Sequence, residues 1–165
     1  MGPSGSRRTP RSARSIELEA SPPLSYGTRA RLFIALATAG IATAVYHAYG
    51  EITFTLSACS LTKAFSCAAV FASGYTTVLG VEFWVYGVVW FPVCLVLGLW
   101  VIQRDGVPSS SILAPFLMIG NIFTIYPWYI EVTLLRGVYC PVCISLYCMN
   151  YLMTAVALLS RTKAP

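Results

Sequence analysis

The chain carries four long runs without an acidic or basic side chain other than one histidine, and this limits its fold more than any other feature. A bilayer's hydrocarbon core is about 30 Å thick and takes about 20 apolar helical residues to cross. Leu32–Gly50 supplies 19 residues between Arg31 and Glu51, with His47 near its end. Phe83–Ile102 supplies 20 after Glu82, and Gly106–Ile130 supplies 25, apolar from about Ile112 onward. Gly137–Ser160 is closed by Arg161. Backbone polar groups in lipid must be satisfied within their own segment, so each run reads as a helix. The expected fold is an all-α membrane protein, a bundle of four transmembrane helices. Pro92 and Pro115 fall inside spans, where neighbouring helices satisfy the carbonyls they free. A soluble domain is roughly 25% charged, whereas this chain is 10% charged and 57% hydrophobic.

Ala64–Val81 is also uncharged, but Ser66, Ser73, Gly74, Thr76 and Thr77 make it a poor fifth span. A crossing there would also put the two cysteine clusters on opposite faces. It is expected to form a short helix, horizontal or half-inserted, on the outer face. The net charge of +5 is concentrated at the N-terminus, where Arg7, Arg8, Arg11, Arg14, Arg29 and Arg31 alternate with Ser, Pro and Gly. Residues 1–29 therefore read as a disordered basic cytoplasmic tail, with the transmembrane domain at 30–161. No aromatic residue precedes Tyr26, so the tail offers no stacking platform, and nucleic acid is not an expected partner. The first six residues formally match a myristoylation pattern, although Pro3 follows the glycine. No cleavable signal is evident, since the first apolar run starts at Leu32 and is long enough to span. With the N-terminus inside, nine of the eleven basic residues are cytoplasmic and only Lys63 and Arg136 lie outside. The positive-inside rule then puts both termini in the cytoplasm of a multi-pass protein. Tyr46, Tyr49, Trp84, Tyr86, Tyr126, Trp128, Tyr129 and Tyr139 fall near the outer boundary, as interfacial aromatics do.

Under this topology four of the six cysteines share the outer face, where disulfides persist: Cys59, Cys67, Cys140 and Cys143. Cys94 and Cys148 lie within spans and read as inert small core residues. Cys140-Pro-Val-Cys143 opens the last span, and Pro141 suits a first helical position. A thiol there meets the positive end of the helix dipole, which lowers its pKa and improves it as nucleophile and leaving group. The two-residue spacing brings both sulfurs within disulfide reach. Zinc sites use the same spacing but want four ligands. The only histidine, His47, belongs to the first span, so a metal is not expected, and a four-cysteine site is the remaining metal alternative. Cys59 and Cys67 sit eight apart in a polar loop, as a structural staple or an exchangeable disulfide. Two dithiols on one face of a bundle favour an electron relay over two staples.

These cysteine spacings, followed by Phe71 and Ser73, and the CxxC with Tyr147 beyond it resemble the vitamin K epoxide reductase family. The resemblance covers roughly residues 30–160. It implies a four-helix bundle around a quinone of the ubiquinone, menaquinone or vitamin K type, capped by a horizontal helix. Some prokaryotic members do the work of DsbB, and many carry a fused thioredoxin-like domain. The expectation here is a homologue without that fusion, whose redox partner is a separate thioredoxin-fold chain. It would sit in the plasma membrane of a prokaryote or the endoplasmic reticulum of a eukaryote. Cys59 and Cys67 then resemble the shuttle pair that takes electrons from the partner, Cys140 the cysteine that exchanges with Cys67, and Cys143 the one facing the quinone. Ser73, Phe71, Tyr147, Glu82 and Phe83 are the implied quinone-contacting or supporting residues, and Asn150 and Tyr151 continue the face of Tyr147.

One departure is visible. Family members often place an Asn early in the second span to bond a quinone carbonyl, and here Gly80-Val81-Glu82-Phe83-Trp84 has none. Glu82 would substitute, or Tyr147, unless Glu82 is an ordinary boundary charge. The resemblance thus implies a quinone-dependent thiol–disulfide oxidoreductase that promotes disulfide formation. Vitamin K epoxide or quinone reduction is the alternative within the family. Outside it stands a non-catalytic stapled or metal-binding membrane protein.

Overall fold

A computed structural model describes residues 26–53, 59–105, 108 and 112–161. Most of the basic tail, with its myristoylation pattern, lies outside the described residues. All four apolar runs form helices long and apolar enough to cross a membrane, at Gly27–Ile52, Phe83–Asp105, Leu113–Leu134 and Pro141–Ser160. The elements are α1 (Tyr26–Ile52), α2 (Cys67–Ala72), a hairpin of β1 (Thr77–Val78) and β2 (Val81–Glu82), α3 (Phe83–Asp105), α4 (Leu113–Phe123), α5 (Ile125–Tyr129) and α6 (Pro141–Arg161).

The first helix starts earlier than its composition suggested. Arg29, assigned to the tail by the sequence, is helical and buried, and its Nη1 donates to the Leu159 carbonyl at 3.0 Å. A cation in that position meets the unsatisfied carbonyls and negative dipole of a helix C-terminus, so it ties the ends of α1 and α6 together. Further along, α1 packs on both α3 and α6 while α4 packs on α6. The α1–α3 contact is a reciprocal ring-in-notch. The Phe91 ring rests on Gly40, where an added Cβ would fall 2.1 Å from Cδ1, and the Phe33 ring rests on Gly98, with 2.2 Å to Cε1. In lipid, where apolar burial gives no drive between helices, such close fit supplies the association. Ala37, Ala44, Cys94, Leu117 and Met153 complete this core. Cys94 is fully buried, but Cys148 departs from the expected core position and is exposed on α6.

Outward-facing Val96, Trp100, Ile122 and Leu152 are exposed, the surface a lipid-embedded bundle requires. Pro115 sits in the first turn of α4, where a missing N–H leaves no bond unmade. Pro127 has the opposite effect. It lacks the N–H that would bond the Phe123 carbonyl, and the helix breaks at Thr124, whose hydroxyl donates to Asn121 O at 2.7 Å. The span then runs on through α5 and a π-type turn over Ile130–Leu134, with Leu135 N donating to Ile130 O at 2.9 Å. It therefore extends four residues past its expected end at Ile130, and Glu131 lies inside it.

The segment expected to be one short helix over Ala64–Val81 divides in two. Its helical part, α2, has six residues and is capped by Ser66, whose Oγ accepts from Ala69 N at 3.2 Å. Its second half forms the β1–β2 hairpin, with Thr77 opposite Glu82. Leu79 and Gly80 occupy the turn at φ 53° and 79°, the left-handed pair that suits strand twist in a two-residue hairpin. β-branched Thr77, Val78 and Val81 favour strand over helix.

Candidate redox site

The cysteines meet because the backbone zips their two segments together. Ser66 N donates to Tyr139 O at 2.9 Å and Tyr139 N to Ala64 O at 2.8 Å, making a parallel bridge between Phe65 and Tyr139. A cysteine follows on each side, Cys67 two residues after Phe65 and opening α2, Cys140 directly after Tyr139 and preceding α6. Cys59 and Cys67 form a disulfide with Cα atoms 5.8 Å apart. The Cys140 sulfur approaches that of Cys67 to 3.2 Å. Cys140 and Cys143 are free thiols, so the Cys59–Cys67 pair is oxidised and the helix pair reduced. Phe71, Val70, Val138, Val142 and Leu135 sheathe the four sulfurs in apolar side chains.

Cys140 is fully buried yet surrounded by donors. The Cys143 N–H points at its sulfur at 3.4 Å, the helix-start donor expected from the CxxC. His47 Nε2 lies 3.9 Å from it. The Cys143 thiol, then His47 and the Cys143 N–H, hold the Cys140 thiol far below a free cysteine, at about 5, against the opposing effect of burial. The Cys140 N–H in turn donates to Glu131 Oε1 at 3.1 Å. Glu131 is 1% exposed, and its other oxygen has no partner among the described residues.

Below the sulfurs lies a cavity of about 540 Å³ between α1, α3, α4 and α6, within the roughly 300–1,000 Å³ usual for small-molecule sites. Phe83, Trp90, Phe116, Ile119 and Leu146 make most of its wall apolar, with Cys143, His47 and Tyr147 as polar groups. Tyr147 follows Cys143 by one helical turn on α6 and shares the cavity wall with it. Deeper in, Trp90 Nε1 donates to Asn150 Oδ1 at 2.9 Å, and the Asn150 amide donates to Asn121 Oδ1. Gly120 admits the Trp90 ring, since a Cβ there would lie 2.3 Å from Cζ2. This network satisfies polar groups that hydrocarbon could not.

The structure thus gathers Cys59, Cys67, Cys140, Cys143, Phe71, Phe83 and Tyr147 around one site, with Asn150 on the cavity wall. Ser73 is elsewhere employed. Its hydroxyl donates to Val70 O at 2.5 Å and accepts from Tyr75 N at 3.3 Å, ending α2. Glu82 accepts from the Trp84 indole and stays exposed on the hairpin, outside the cavity wall. Tyr151 is 48% exposed and its hydroxyl pairs with Thr124 Oγ1 at 2.7 Å.

Sequence reasoning missed His47 and Glu131. For His47 the available signal was that ionisable groups within membrane spans face interiors and carry function by default; Glu131 fell outside the expected third span and carried no such signal. His47, Cys67 and Cys140 bring one ligand atom each within 4.8 Å of one another. With Cys67 in a disulfide, its sulfur is taken out of that set.

No curated protein matches the chain. The sequence model of the vitamin K epoxide reductase family matches residues 31–158, all four spans and both cysteine pairs. This chain, a multi-pass membrane redox protein with paired cysteines at one end of its bundle, belongs to the vitamin K epoxide reductase family.

Proposed function

We propose that the chain is a membrane thiol–disulfide oxidoreductase that passes electrons from a thioredoxin-fold partner to a quinone and so promotes disulfide formation. The observation that carries this reading is the 3.2 Å approach of the Cys140 and Cys67 sulfurs above a cavity bordered by Cys143. Disulfide exchange proceeds by attack of one sulfur on another, and here the pairs stand in contact. The partner's thiolate opens Cys59–Cys67, Cys67 attacks Cys140, and the helix pair becomes the dithiol. The apolar cavity suits an aromatic quinone ring, with His47, Cys143 and Tyr147 on its wall and Asn150 and Thr124 as further polar groups. Tyr147, on the same cavity wall as Cys143, would supply the carbonyl contact for which the second span has no Asn. The sulfurs belong to the outer face, with both termini cytoplasmic.

The test is direct. Purified protein in detergent, given a reduced thioredoxin-fold donor, should reduce ubiquinone, menaquinone or a vitamin K quinone with turnover. Changing Cys140 or Cys143 to Ala should abolish that turnover. Donor oxidation without quinol, or quinol formation that survives both substitutions, would refute the reading.

A further inference from the structure

His47 has no role in the relay just described, yet its surroundings are unusual for a histidine at the end of a membrane span. It is 3% exposed. One ring nitrogen, Nε2, faces the Cys140 sulfur at 3.9 Å, while Nδ1 has no hydrogen-bond partner among the described residues. The Phe71 ring packs on it at 4.7 Å between centroids. The same side chain lines the cavity beside Cys143. A buried ring nitrogen without a partner is costly, and here it stands on the wall of a ligand-sized space. Reduction of a quinone consumes two protons, but a helix pair holding Cys140 as thiolate carries only one, on Cys143.

We propose that His47 is the proton carrier of the relay, accepting the proton that Cys140 gives up and delivering it to the quinone when the helix pair is oxidised. The inference rests on the function proposed above. The step balances. The Cys140 thiolate, the Cys143 thiol and the His47 imidazolium form a neutral set. Formation of the Cys140–Cys143 bond releases two electrons to the quinone. The Cys143 proton and the His47 proton complete the quinol, and His47 is left neutral. When the partner dithiol next delivers two electrons, one of its two protons returns to Cys143 and the other to His47. The groups facing His47 are consistent with such a carrier. Glu51 follows one turn later on α1 and interacts with it electrostatically, Cys140 faces it from the start of α6, Cys143 and Tyr147 share the cavity wall with it, and Glu131 approaches through Cys140.

His47 is the only histidine in the chain, so nitrogen-15 histidine labelling gives a single probe in the unmodified protein. Its NMR shifts at neutral pH should report imidazolium when Cys140 and Cys143 are reduced, and neutral imidazole once they are oxidised with Cys59–Cys67 kept closed. The same protonation state in both forms would overturn the proposal, whatever the enzyme's turnover. In His47→Gln, single-turnover quinol formation from the reduced enzyme should slow at least tenfold at pH 7 and recover as pH falls, because solvent protons replace the carrier. A loss equal at all pH values would make His47 a packing residue only. Formation of the Cys67–Cys140 link in a His47→Gln/Cys143→Ala chain separates the two ideas. If it forms and wild-type enzyme makes quinol, the relay stands and His47 is judged alone. If wild-type enzyme makes no quinol, it is the function that fails.

Discussion

The acidity of Cys140 can be tested by removing its largest support. With its thiol held at about 5, Cys140 is about 99% thiolate at pH 7, against about 3% for a free cysteine near 8.5. Cys143→Ala deletes the thiol that donates to it and leaves the Cys143 N–H and His47 in place. A hydrogen bond to a charged group contributes about 1.5–3 kcal/mol, so proton affinity should rise roughly ten- to a hundredfold at 1.36 kcal/mol per pKa unit. The sign is that of a depressed acid. Thiolate is present above the folded value and is lost as pH falls through it, and the variant moves that loss to higher pH. Thiolate ultraviolet absorbance, titrated in a Cys94→Ser/Cys148→Ser background with Cys59–Cys67 intact, reads the midpoint without interference from those two thiols. A wild-type midpoint near that of free cysteine would refute the electrostatic account of the site. A midpoint unmoved by Cys143→Ala would refute its leading cause.

Three further outcomes are expected. Non-reducing peptide mapping of Cys143→Ala should recover a Cys67–Cys140 crosslink with Cys59 free; finding only Cys59–Cys67, with Cys140 always a thiol, would mean that the pairs do not communicate. Cys94→Ala and Cys148→Ala should keep quinone turnover within about tenfold, since Cys94 is buried in the α1–α3 core and Cys148 faces outward; the former should cost about 1 kcal/mol or more for the void it leaves, read by thermal unfolding. Impermeant thiol reagents applied from outside should reach Cys59 and Cys67 after reduction, while a tag on the N-terminus stays protected; labelling of the two pairs from opposite faces would end the single-face arrangement.

What the sequence disclosed and what it withheld divide along a physical line. Span positions were legible because lipid forbids charge and unpaired backbone over a fixed thickness, which writes itself as uncharged runs. The CxxC was legible because Pro141 and the following apolar run mark a helix start, and α6 begins there. The hairpin at Thr77–Glu82 was not, since its signal is two φ-positive residues within a run that polarity alone had marked as interfacial. Glu131 was hidden for a different reason. Its inward position depends on Pro127 breaking the third span and on the π-type turn that follows, neither of which has a periodic signature. His47 could be counted but not placed, because its contact with Cys140 spans 93 positions and depends on how α1 meets α6. Ser73 shows the converse limit: its nearness to the cysteines was legible in the sequence, but not that its hydroxyl bonds its own helix end.

The electrostatics of Cys140 also bear on direction. Lowering a thiol's pKa raises its thiolate fraction but weakens the thiolate as a nucleophile, with a Brønsted slope of about 0.4–0.5. From near 8.5 to about 5 the two effects nearly cancel at pH 7, the roughly thirtyfold gain in thiolate being offset by a similar loss in reactivity. Cys140 is therefore no better an attacking group than an ordinary cysteine, and its advantage is in leaving. In a Cys67–Cys140 mixed disulfide, attack by Cys59 on Cys67 expels Cys140 and restores the outer disulfide. Attack by Cys143 on Cys140 expels Cys67 instead, a sulfur without the same set of donors. The first route is the favoured one, and it ends in the state observed, with Cys59–Cys67 closed and the electrons on Cys140 and Cys143 beside the cavity. Cys143→Ala weakens both routes, so the Cys67–Cys140 crosslink should persist longer. The substitution removes a resolving thiol and, by raising the proton affinity of Cys140, makes it a poorer leaving group against Cys59.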